Sequence, residues 1–318
     1  MAVGYGQLGH VGWNFQASYG TSQVTSQHFI PIISEGFKHI KGEAREGNMY
    51  GRFGESPYHS TMEHTEADLR IEAHPIATGH LLKSVFGQVT TTSGTGIQTH
   101  EFIPLNTADW DDRAASPPAT VEINRNVGSA FLFYDVVGSS IEFNVANGQL
   151  MTVNWNGMGA GFSRKSAATP TFPASRPFRW VPSSVSYNGW AVTDIRELRF
   201  RLETPLETVF TLGTSHTPYR IKRTGPTVAT VNGTIQFASH SFNLDYEAFA
   251  TARLFANFVS SSAPHTLLLD APQMRFTDFN PQIAGAGLVQ VQFSARAEFN
   301  TASSYPLRVV LVNTQTYY

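Results

Sequence analysis

The chain has 318 residues, of which 41% are hydrophobic, and this length can bury one large core or two smaller ones. The formal net charge of −2 excludes a strongly basic nucleic-acid-binding surface and a polybasic membrane patch. Cysteine is absent, which excludes disulfides and thiolate metal sites. Only 14% of the residues are charged, below the roughly 25% of average soluble domains, so we expect much of the surface to be covered, most simply by other copies of the chain.

The first residues carry no signal-peptide pattern and no apolar run is long enough to cross a bilayer, so we expect no membrane insertion. Residues 1–20 are rich in glycine and indicate an N-terminal arm. A polar, glycine-rich stretch at residues 41–62 predicts a long loop. Loops of that length inside a compact domain are usually functional or disordered.

Residues 65–73 alternate strictly between apolar and polar side chains, which predicts a strand with one buried face and one wet face. The period then changes to that of a short helix that ends near Gly87, with an apolar side formed by Leu81, Leu82, Val85 and Phe86. Further along, Asn147-Gly148 separates two alternating runs and predicts a β-hairpin.

Similar signals recur in the second part of the chain. A proline-rich linker composition at residues 163–188 precedes an alternating strand at 197–203 and a second polar loop at 213–226. A strand at 231–237 then leads into a second helix. We expect this helix to run from Leu244 to about Phe255, with Asn243 as its N-cap. The last predicted strands are residues 288–299 and 307–312.

Both parts of the chain have the same order of elements: strand, long loop, strand, helix, strand, hairpin and strand. This order predicts an internal duplication, with an N-terminal half at residues 1–175 and a C-terminal half at residues 176–318. Two weak matches support the alignment, residues 132–135 with 267–270 and residues 139–144 with 275–280.

Candidate catalytic and metal-binding motifs are weak. Glu66, Asp68 and Glu72 share a strand face with about 6.5–7 Å between neighbours, a spacing that could serve a glycosidase pair. However, Arg70 lies among them and no cleft is implied, which favours a solvated strand face. The eleven histidines match no metal-ligand spacing, and the glycine-rich residues 157–161 lack the Lys-Ser/Thr step of a P-loop. The sequence therefore predicts no enzyme activity, no metal and no cofactor.

Five short segments occur in a characteristic order between residues 17 and 316. They are Tyr19-Gly20-Thr21, Ile33-Ser34-Glu35, the run from Gly79 to Gly87, His100-Glu101-Phe102-Ile103-Pro104, and the ending from Tyr305 to Asn313. Together they resemble the tail tube (major tail) proteins of long-tailed bacteriophages. The resemblance implies a mostly-β fold, a tail-tube-type β-sandwich or half-barrel with a flanking short helix, here duplicated within the chain.

The resemblance also implies a structural virion protein of the phage tail, assembled in the cytoplasm of the host bacterium. Members of that family polymerise into rings that stack into a hollow tube for DNA delivery. The implied partners are other copies of the chain, a tape-measure protein inside the tube, and tail-tip and tail-terminator proteins. DNA would pass through the tube without specific binding.

The predicted duplication bears on ring symmetry. Rings in the family present six tube folds around the axis, so three chains with two folds each would complete a homotrimeric ring with approximate six-fold symmetry. Each strand edge would then pair with the next subunit, which removes exposed edges. A chain with a single fold would instead give six chains per ring.

A tube that passes DNA should avoid a basic inner wall, because Lys and Arg contacts to phosphates supply most non-specific DNA affinity. We therefore predict that polar strand faces line the lumen, and that the arginines on such faces are neutralised by acids nearby on the same faces at Glu72, Glu203 and Glu298. These arginines are Arg70, Arg199, Arg201 and Arg296. The alternative is that these faces meet solvent outside the tube. The predicted lumen-facing residues are Glu66, Asp68, Arg70, Glu72, Thr152, Asn154, Asn156, Asn232, Thr234, Gln236, Gln290, Gln292 and Ser294.

The two polar loops, residues 41–62 and 213–226, occupy equivalent places in the two halves. In the family the matching loop reaches the adjacent ring, so we predict that these loops and the N-terminal arm join ring to ring. The predicted inter-ring contact residues are Glu43, Arg45, Glu46, Tyr50, Arg52, Tyr58, Tyr219, Lys222 and Arg223.

A second hypothesis, of a different class, is a surface β-sandwich that binds carbohydrate through exposed aromatic residues such as Trp13, Trp180 and Trp190. A stable monomer that retains a glycan would favour this hypothesis. Rings or tubes in negative-stain microscopy would favour the tail tube, and an enzyme has the least support.

Overall fold

A computed structural model describes residues 6–21, 28–46, 58–105, 117–213, 215–237, 241–260, 265–281 and 289–318. Strands dominate this part of the chain, which holds two α-helices and one short 3-10 turn at Gly6–Leu8. The prediction of a mostly-β, sandwich-like fold with a flanking short helix is confirmed. Within these ranges, no helix combines the length and the apolar character needed to span a membrane.

The elements follow one another from β1 to β21. Those of the N-terminal half are β1 (His10–Phe15), β2 (His28–Ile30), β3 (Ser34–Glu35), β4 (Lys38–Arg45), β5 (Tyr58–Glu72), α1 (Ala77–Phe86), β6 (Gly87–Ser93), β7 (Gln98–Pro104), β8 (Ala119–Asn124), β9 (Ala130–Ala146), β10 (Thr152–Gly159) and β11 (Gly161–Lys165). Those of the C-terminal half are β12 (Ser183–Tyr187), β13 (Trp190–Ala191), β14 (Ile195–Glu203), β15 (Leu206–Val209), β16 (Arg220–Arg223), β17 (Val228–Gln236), α2 (Ser241–Glu247), β18 (Ala252–Val259), β19 (Thr266–Phe279), β20 (Gln290–Ala297) and β21 (Arg308–Asn313).

One continuous antiparallel sheet, here called the long sheet, runs through both halves. It starts with β3 and β4, which pair with β5, and continues through β10 to the C-terminal part of β9. There β9 pairs with β14, and the sheet continues through β17 and β20 to the C-terminal part of β19. Among the described residues the sheet is open, because neither β4 nor that part of β19 has a partner along its outer edge.

The N-terminal parts of β9 and β19 leave the long sheet and pair with a second layer of strands. In the first half this layer is β2, β1, β8, β9 and β11. In the second half it is β13, β12, β18, β19 and β21, extended by the hairpin β6–β7 of the first half. Trp13 of β1 packs edge-on against Trp155 of β10 with ring centroids 5.4 Å apart, so the two layers share a core, as in a β-sandwich.

The pairing pattern of the first half recurs in the second. Strand β10 pairs with β5 and β9, as β20 pairs with β17 and β19. A β-bulge at Ser139 recurs at Thr277 and places these two residues in equivalent positions. The sequence alignment of residues 139–144 with 275–280 was therefore wrong by two positions, because a strand of period two looks the same when it is shifted by two residues. The boundary near residue 175 stays a prediction, since one buried core includes residues of both halves.

Helix α1 forms as the sequence predicts. It ends at Gly87, whose φ of 78° is unfavourable for residues with a Cβ. All four apolar residues of its predicted inner side, Leu81, Leu82, Val85 and Phe86, are 0% exposed.

Helix α2 is shorter than predicted and its capping residue was predicted wrongly. It ends at Glu247, and Asn243 lies inside the helix rather than before it. Phe255 belongs to β18, where buried and more exposed residues alternate along the strand. The pairing of β18 with β19 makes this segment a strand, although its local sequence favours a helix.

Three segments predicted as an arm or as loops contain strands. Residues 10–15 form β1, whose Trp13 is 0% exposed, so this part of the N-terminal arm belongs to the core. Strands β4 and β5 extend into the predicted loop 41–62 and pair there as a hairpin, and residues 47–57 lie outside the described residues. In the second half, β16 lies inside the predicted loop 213–226 and pairs with β15. The polar composition of these segments does not predict strands, because each strand forms only by pairing with the edge of another strand.

Candidate functional site

The polar face of the long sheet is the main candidate surface. Along each strand every second side chain enters the core, and the side chains between them face away from it. On the core side Val153, Trp155 and Val231 are 0% exposed. On the other side Asn154 lies opposite Arg70 and Glu142. Cross-strand partners share a face, so the strand register assigns the polar face residue by residue.

All thirteen residues predicted to line a lumen lie on this one face. One row crosses six strands as Glu72, Thr152, Asn144, Arg199, Asn232 and Ser294. At about 4.8 Å between strands the row spans roughly 24 Å. The other predicted residues follow on neighbouring rows of the same strands: Glu66, Asp68, Arg70, Asn154, Asn156, Thr234, Gln236, Gln290 and Gln292. The structure thus brings the set together, and its position in a tube stays a prediction.

Several cations on the polar face lie beside carboxylates. The Lys38 ammonium is 2.6 Å from the Glu66 carboxylate, and this hydrogen bond raises the pKa of Lys38 and lowers that of Glu66. Arg201 pairs with Glu203 at 2.9 Å, as predicted.

Two predicted neutralising partners differ in the structure. Arg199 pairs at 2.6 Å with Glu197, an acid outside the predicted set, and the 2.8 Å partner of Glu298 is Arg275 rather than Arg296. Arg296 lies directly opposite Arg275 and still lowers the pKa of Glu298 electrostatically, after the larger effect of the Arg275 hydrogen bond. The face therefore mixes both signs of charge instead of presenting a basic surface.

The centre of the polar face includes residues that the sequence analysis did not select. Ser140, Glu142 and Asn144 of β9 lie between the two halves, and Asn154 donates a hydrogen bond to Glu142 at 3.2 Å. Their alternation with Ile141 and Phe143 already indicates a strand with one wet face. Only the pairing of β9 with both β10 and β14 places that face in the middle of the sheet.

The two halves contribute different chemistry to the polar face. On β5 the outward residues are mainly charged, and on β17 they are neutral. The equivalent sets are Glu66, Asp68, Arg70 and Glu72 on β5, and Thr230, Asn232, Thr234 and Gln236 on β17.

The extended hairpin of β4 and β5 carries four of the seven predicted inter-ring residues that the structure describes. Beyond the end of β10, these strands pair only with each other among the described residues, and Glu43 lies opposite Ser60. The Arg45 guanidinium lies over the Tyr58 ring at 4.6 Å, and the Glu46 carboxylate is 2.7 Å from the His59 ring nitrogen. Tyr50 and Arg52 lie outside the described residues.

The three segments predicted to join rings meet in the structure. The backbone N–H of Glu63 donates to the His216 carbonyl at 2.8 Å, and His216 Nδ1 donates to the Thr61 carbonyl at 2.7 Å. The Tyr19 hydroxyl, in the N-terminal segment, donates to the Ile221 carbonyl at 3.1 Å. The hairpins β4–β5 and β15–β16 and the N-terminal segment therefore form one composite end of the molecule.

Residues Tyr219, Lys222 and Arg223 differ in their availability for contacts. Tyr219 is 66% exposed, and Lys222 lies opposite Glu207 in the strand register of the hairpin. Arg223 is only 6% exposed and donates to the Val85 carbonyl at the end of α1 at 2.7 Å. Burial lowers the pKa of Arg223 to about 10. This placement corrects the prediction for Arg223, which stabilises α1 inside the subunit.

The described ranges give little support to a metal site, a glycosidase pair or a carbohydrate-binding surface. Within them, no group of three or more His, Asp or Glu side chains could hold a metal ion. Glu66, Asp68 and Glu72 lie on an open sheet face rather than in a cleft. Of the aromatic residues proposed for carbohydrate binding, Trp13 is 0% exposed and Trp190 is 79% exposed, and Trp180 packs against the core.

Comparison with known proteins identifies a family. A family model described as phage tail tube protein matches residues 6–297, which includes the polar face, both hairpins and most of both halves. No curated protein matches the chain.

Proposed function

Because the chain belongs to the phage tail tube protein family, we propose that it polymerises into stacked rings that form the conduit for DNA delivery. The family is structural rather than enzymatic, and its members are components of the virion tail. The observation that carries the ring proposal is the long sheet, which repeats one four-strand unit and ends in two edges without partners among the described residues.

The junction between the halves supplies a template for the contact between chains. Within one chain the C-terminal part of β9 pairs with β14. The equivalents of these two strands are the C-terminal part of β19 and the strands β3 and β4, which carry the open edges. Phe37 and Phe200 occupy equivalent places in the repeat, and both are buried, at 2% and 1% exposure.

Transferring the β9–β14 register to the open edges gives a specific contact. Within the chain Ser140 faces Glu203, and Ile141 faces Leu202. By the repeat, Asp278 of one copy faces Ile40 of the next, and Asn280 faces Lys38 of the next. Two units per chain and six units per ring give three chains in a closed ring, and closure leaves no open sheet edge.

Cysteine cross-linking tests both the register and the stoichiometry, because the natural chain contains no cysteine. Oxidation of the double variant Lys38→Cys, Asn280→Cys should produce covalent dimers and trimers and nothing larger. Lys41→Cys with Asn280→Cys is the matched control. Its site lies roughly 10 Å further along β4, beyond disulfide reach.

Three outcomes separate the proposals. A series of cross-linked species that extends to six chains would refute the trimeric ring but would still support a closed ring. Equal cross-linking in the control would refute the register. If the wild-type protein forms neither rings nor tubes in negative-stain microscopy, the tail tube function itself fails.

The polar face of the long sheet is proposed as the inner wall, with a tape-measure protein in the lumen before DNA passes. Its mixed charges support this role, since paired acids and bases leave few cations to hold phosphate. The composite end with its two hairpins is proposed as the inter-ring contact. Tail-tip and tail-terminator proteins would bind the two ends of the stack, which is assembled in the host cytoplasm.

A further inference from the structure

An apolar groove lies open beside α2 in the second half. Its volume is about 490 Å³, and its lining comes from the β12–β13 hairpin, the end of β17 and α2 itself. Trp190 and Leu244 on the groove are 79% and 59% exposed. Large apolar side chains that are exposed together indicate an interaction site.

The first half shows how the equivalent position is covered. The repeat aligns Glu72 with Gln236, and α1 and α2 begin the same number of residues later, so His80 and Leu244 correspond. His80 is 2% exposed and lies between the ring of His28 at 4.1 Å and the ring of Tyr318 at 4.9 Å. The Tyr318 hydroxyl also donates to the Ile76 carbonyl at 2.9 Å, which fixes the chain end on α1.

The segment that covers α1 belongs to the other half of the chain. Residues 314–318 follow β21, the last strand of the second half. The equivalent strand in the first half is β11, which pairs with β9 as β21 pairs with β19. The segment that follows β11, residues 166–173, runs along its own half. There Phe172 lies 6.4 Å from Phe29, lines a cavity together with Ala77 and His80 of α1, and is still 46% exposed.

We propose that the groove beside α2 binds a second copy of the chain, through residues 166–173 of that copy. The inference rests on the proposed ring. In the proposed ring, the first half of the next copy pairs with the second half of this chain. It therefore lies beside α2 in the same way as the second half lies beside α1 within one chain. On assembly the segment after β11 leaves its place beside α1 of its own half and reaches α2 as the segment after β21 reaches α1, and it covers Leu244 and Trp190.

The first test compares two charge substitutions near α2. Leu244→Glu should raise the subunit concentration needed for ring assembly by about tenfold or more, because a buried leucine would be replaced by a desolvated carboxylate. Phe249→Glu is the matched control: Phe249 is 69% exposed and lies just past α2, outside the groove lining. Circular dichroism of the subunits checks that both variants fold. Equal loss of assembly in both, or normal assembly of Leu244→Glu, would overturn the proposal.

The second test identifies the occupant. A benzophenone photocross-linker in place of Leu244 should attach, in assembled wild-type-like rings only, to the tryptic peptide of residues 166–179. Attachment to a different peptide overturns the assignment of the segment. Rings that form without any cross-link overturn the groove as a contact. Failure of the wild-type chain to form rings would be a failure of the proposed function instead, and negative-stain images of the same samples record it.

Discussion

The helices of the two halves occupy equivalent places, but one is buried and the other is mostly exposed or half-buried. Nine of the ten residues of α1 are buried, whereas Phe242 is the buried residue of α2. The difference has a simple origin: Tyr318, in the segment after β21, packs on α1, whereas Phe172, in the equivalent segment after β11, lies against Phe29. Of two equivalent surfaces, one is thus covered within the chain, and the other is the surface proposed to bind a neighbouring copy.

The largest expected effect concerns the hairpins, which also differ between the halves. Deleting residues 43–60 and joining Gly42 to Thr61 through an Asn-Gly turn should leave folded subunits and rings but abolish long tubes, because the β4–β5 hairpin projects beyond β10. Tube length in negative-stain images is the measurement. Normal tubes from this variant would contradict the inter-ring assignment, and the same images of a deletion confined to residues 210–215 would show whether the shorter β15–β16 hairpin contributes.

The packing of Tyr318 on α1 should contribute substantially to the free energy of unfolding. Tyr318→Ala removes a side chain that is 8% exposed and should lower the free energy of unfolding by about 3 kcal/mol. Urea denaturation measures the change. Its neighbour Tyr317 is 67% exposed, so Tyr317→Ala is a control that should change the stability little. Similar changes in the free energy of unfolding for both variants would show that Tyr318 does not stabilise α1.

The equivalent residues His80 and Leu244 predict a contribution to the pH dependence of stability that His80 makes and Leu244 cannot make. Burial lowers the pKa of His80 well below its ordinary value, and His28 and Lys83 beside it lower the pKa further. The unfolded chain therefore binds a proton before the folded chain does, so stability is full above about pH 6.5 and declines as the pH falls below that value. The Tyr318 ring faces the same imidazole and stays neutral in this range.

His80→Leu, which installs the residue of the second half, should make unfolding less dependent on pH between 7.5 and 5. Urea midpoints at both pH values give the comparison. Some dependence will persist, because burial also lowers the pKa of His28, His100 and His265. An unchanged pH slope would show that His80 is not the main sensor.

The smallest effect concerns the charged and neutral parts of the polar face. Glu66→Lys with Asp68→Lys should still permit assembly, because both residues lie on the polar face, yet it should slow DNA ejection, more so at low salt. Thr230→Lys with Asn232→Lys, at the equivalent places on β17, adds cations without removing acids and should slow ejection less. Ejection rates of phage carrying each variant are the measurement.

A neutral control separates charge from shape on β5. Glu66→Gln with Asp68→Asn gives this strand the amide character of β17 and should leave ejection close to the wild-type rate. If an assembled tube places these side chains on its outer surface, the lumen assignment is wrong whatever the ejection rates.

The sequence by itself determined the features that depend on neighbouring residues. The alternation at residues 65–73 predicts which face of β5 is buried, and Ala67, Leu69 and Ile71 are indeed 5%, 2% and 0% exposed. The helical period predicts α1 and its inner side, and Asn147-Gly148 predicts the turn between β9 and β10, where Gly148 has a φ of 76°. These patterns arise from backbone geometry over a few residues, so they can be read without knowing any partner.

Tertiary structure decided everything that depends on which edge or surface a segment meets. The pairing of β9 with β14 unites two polar faces into one, and the shared bulge sets the repeat register that the sequence alignment missed. Strand pairing made residues 252–259 a strand, and core packing buried Trp13 in a segment predicted as an arm. Such outcomes are set by contacts between residues far apart in the chain, and a local pattern of period two or 3.6 fits several partners equally well.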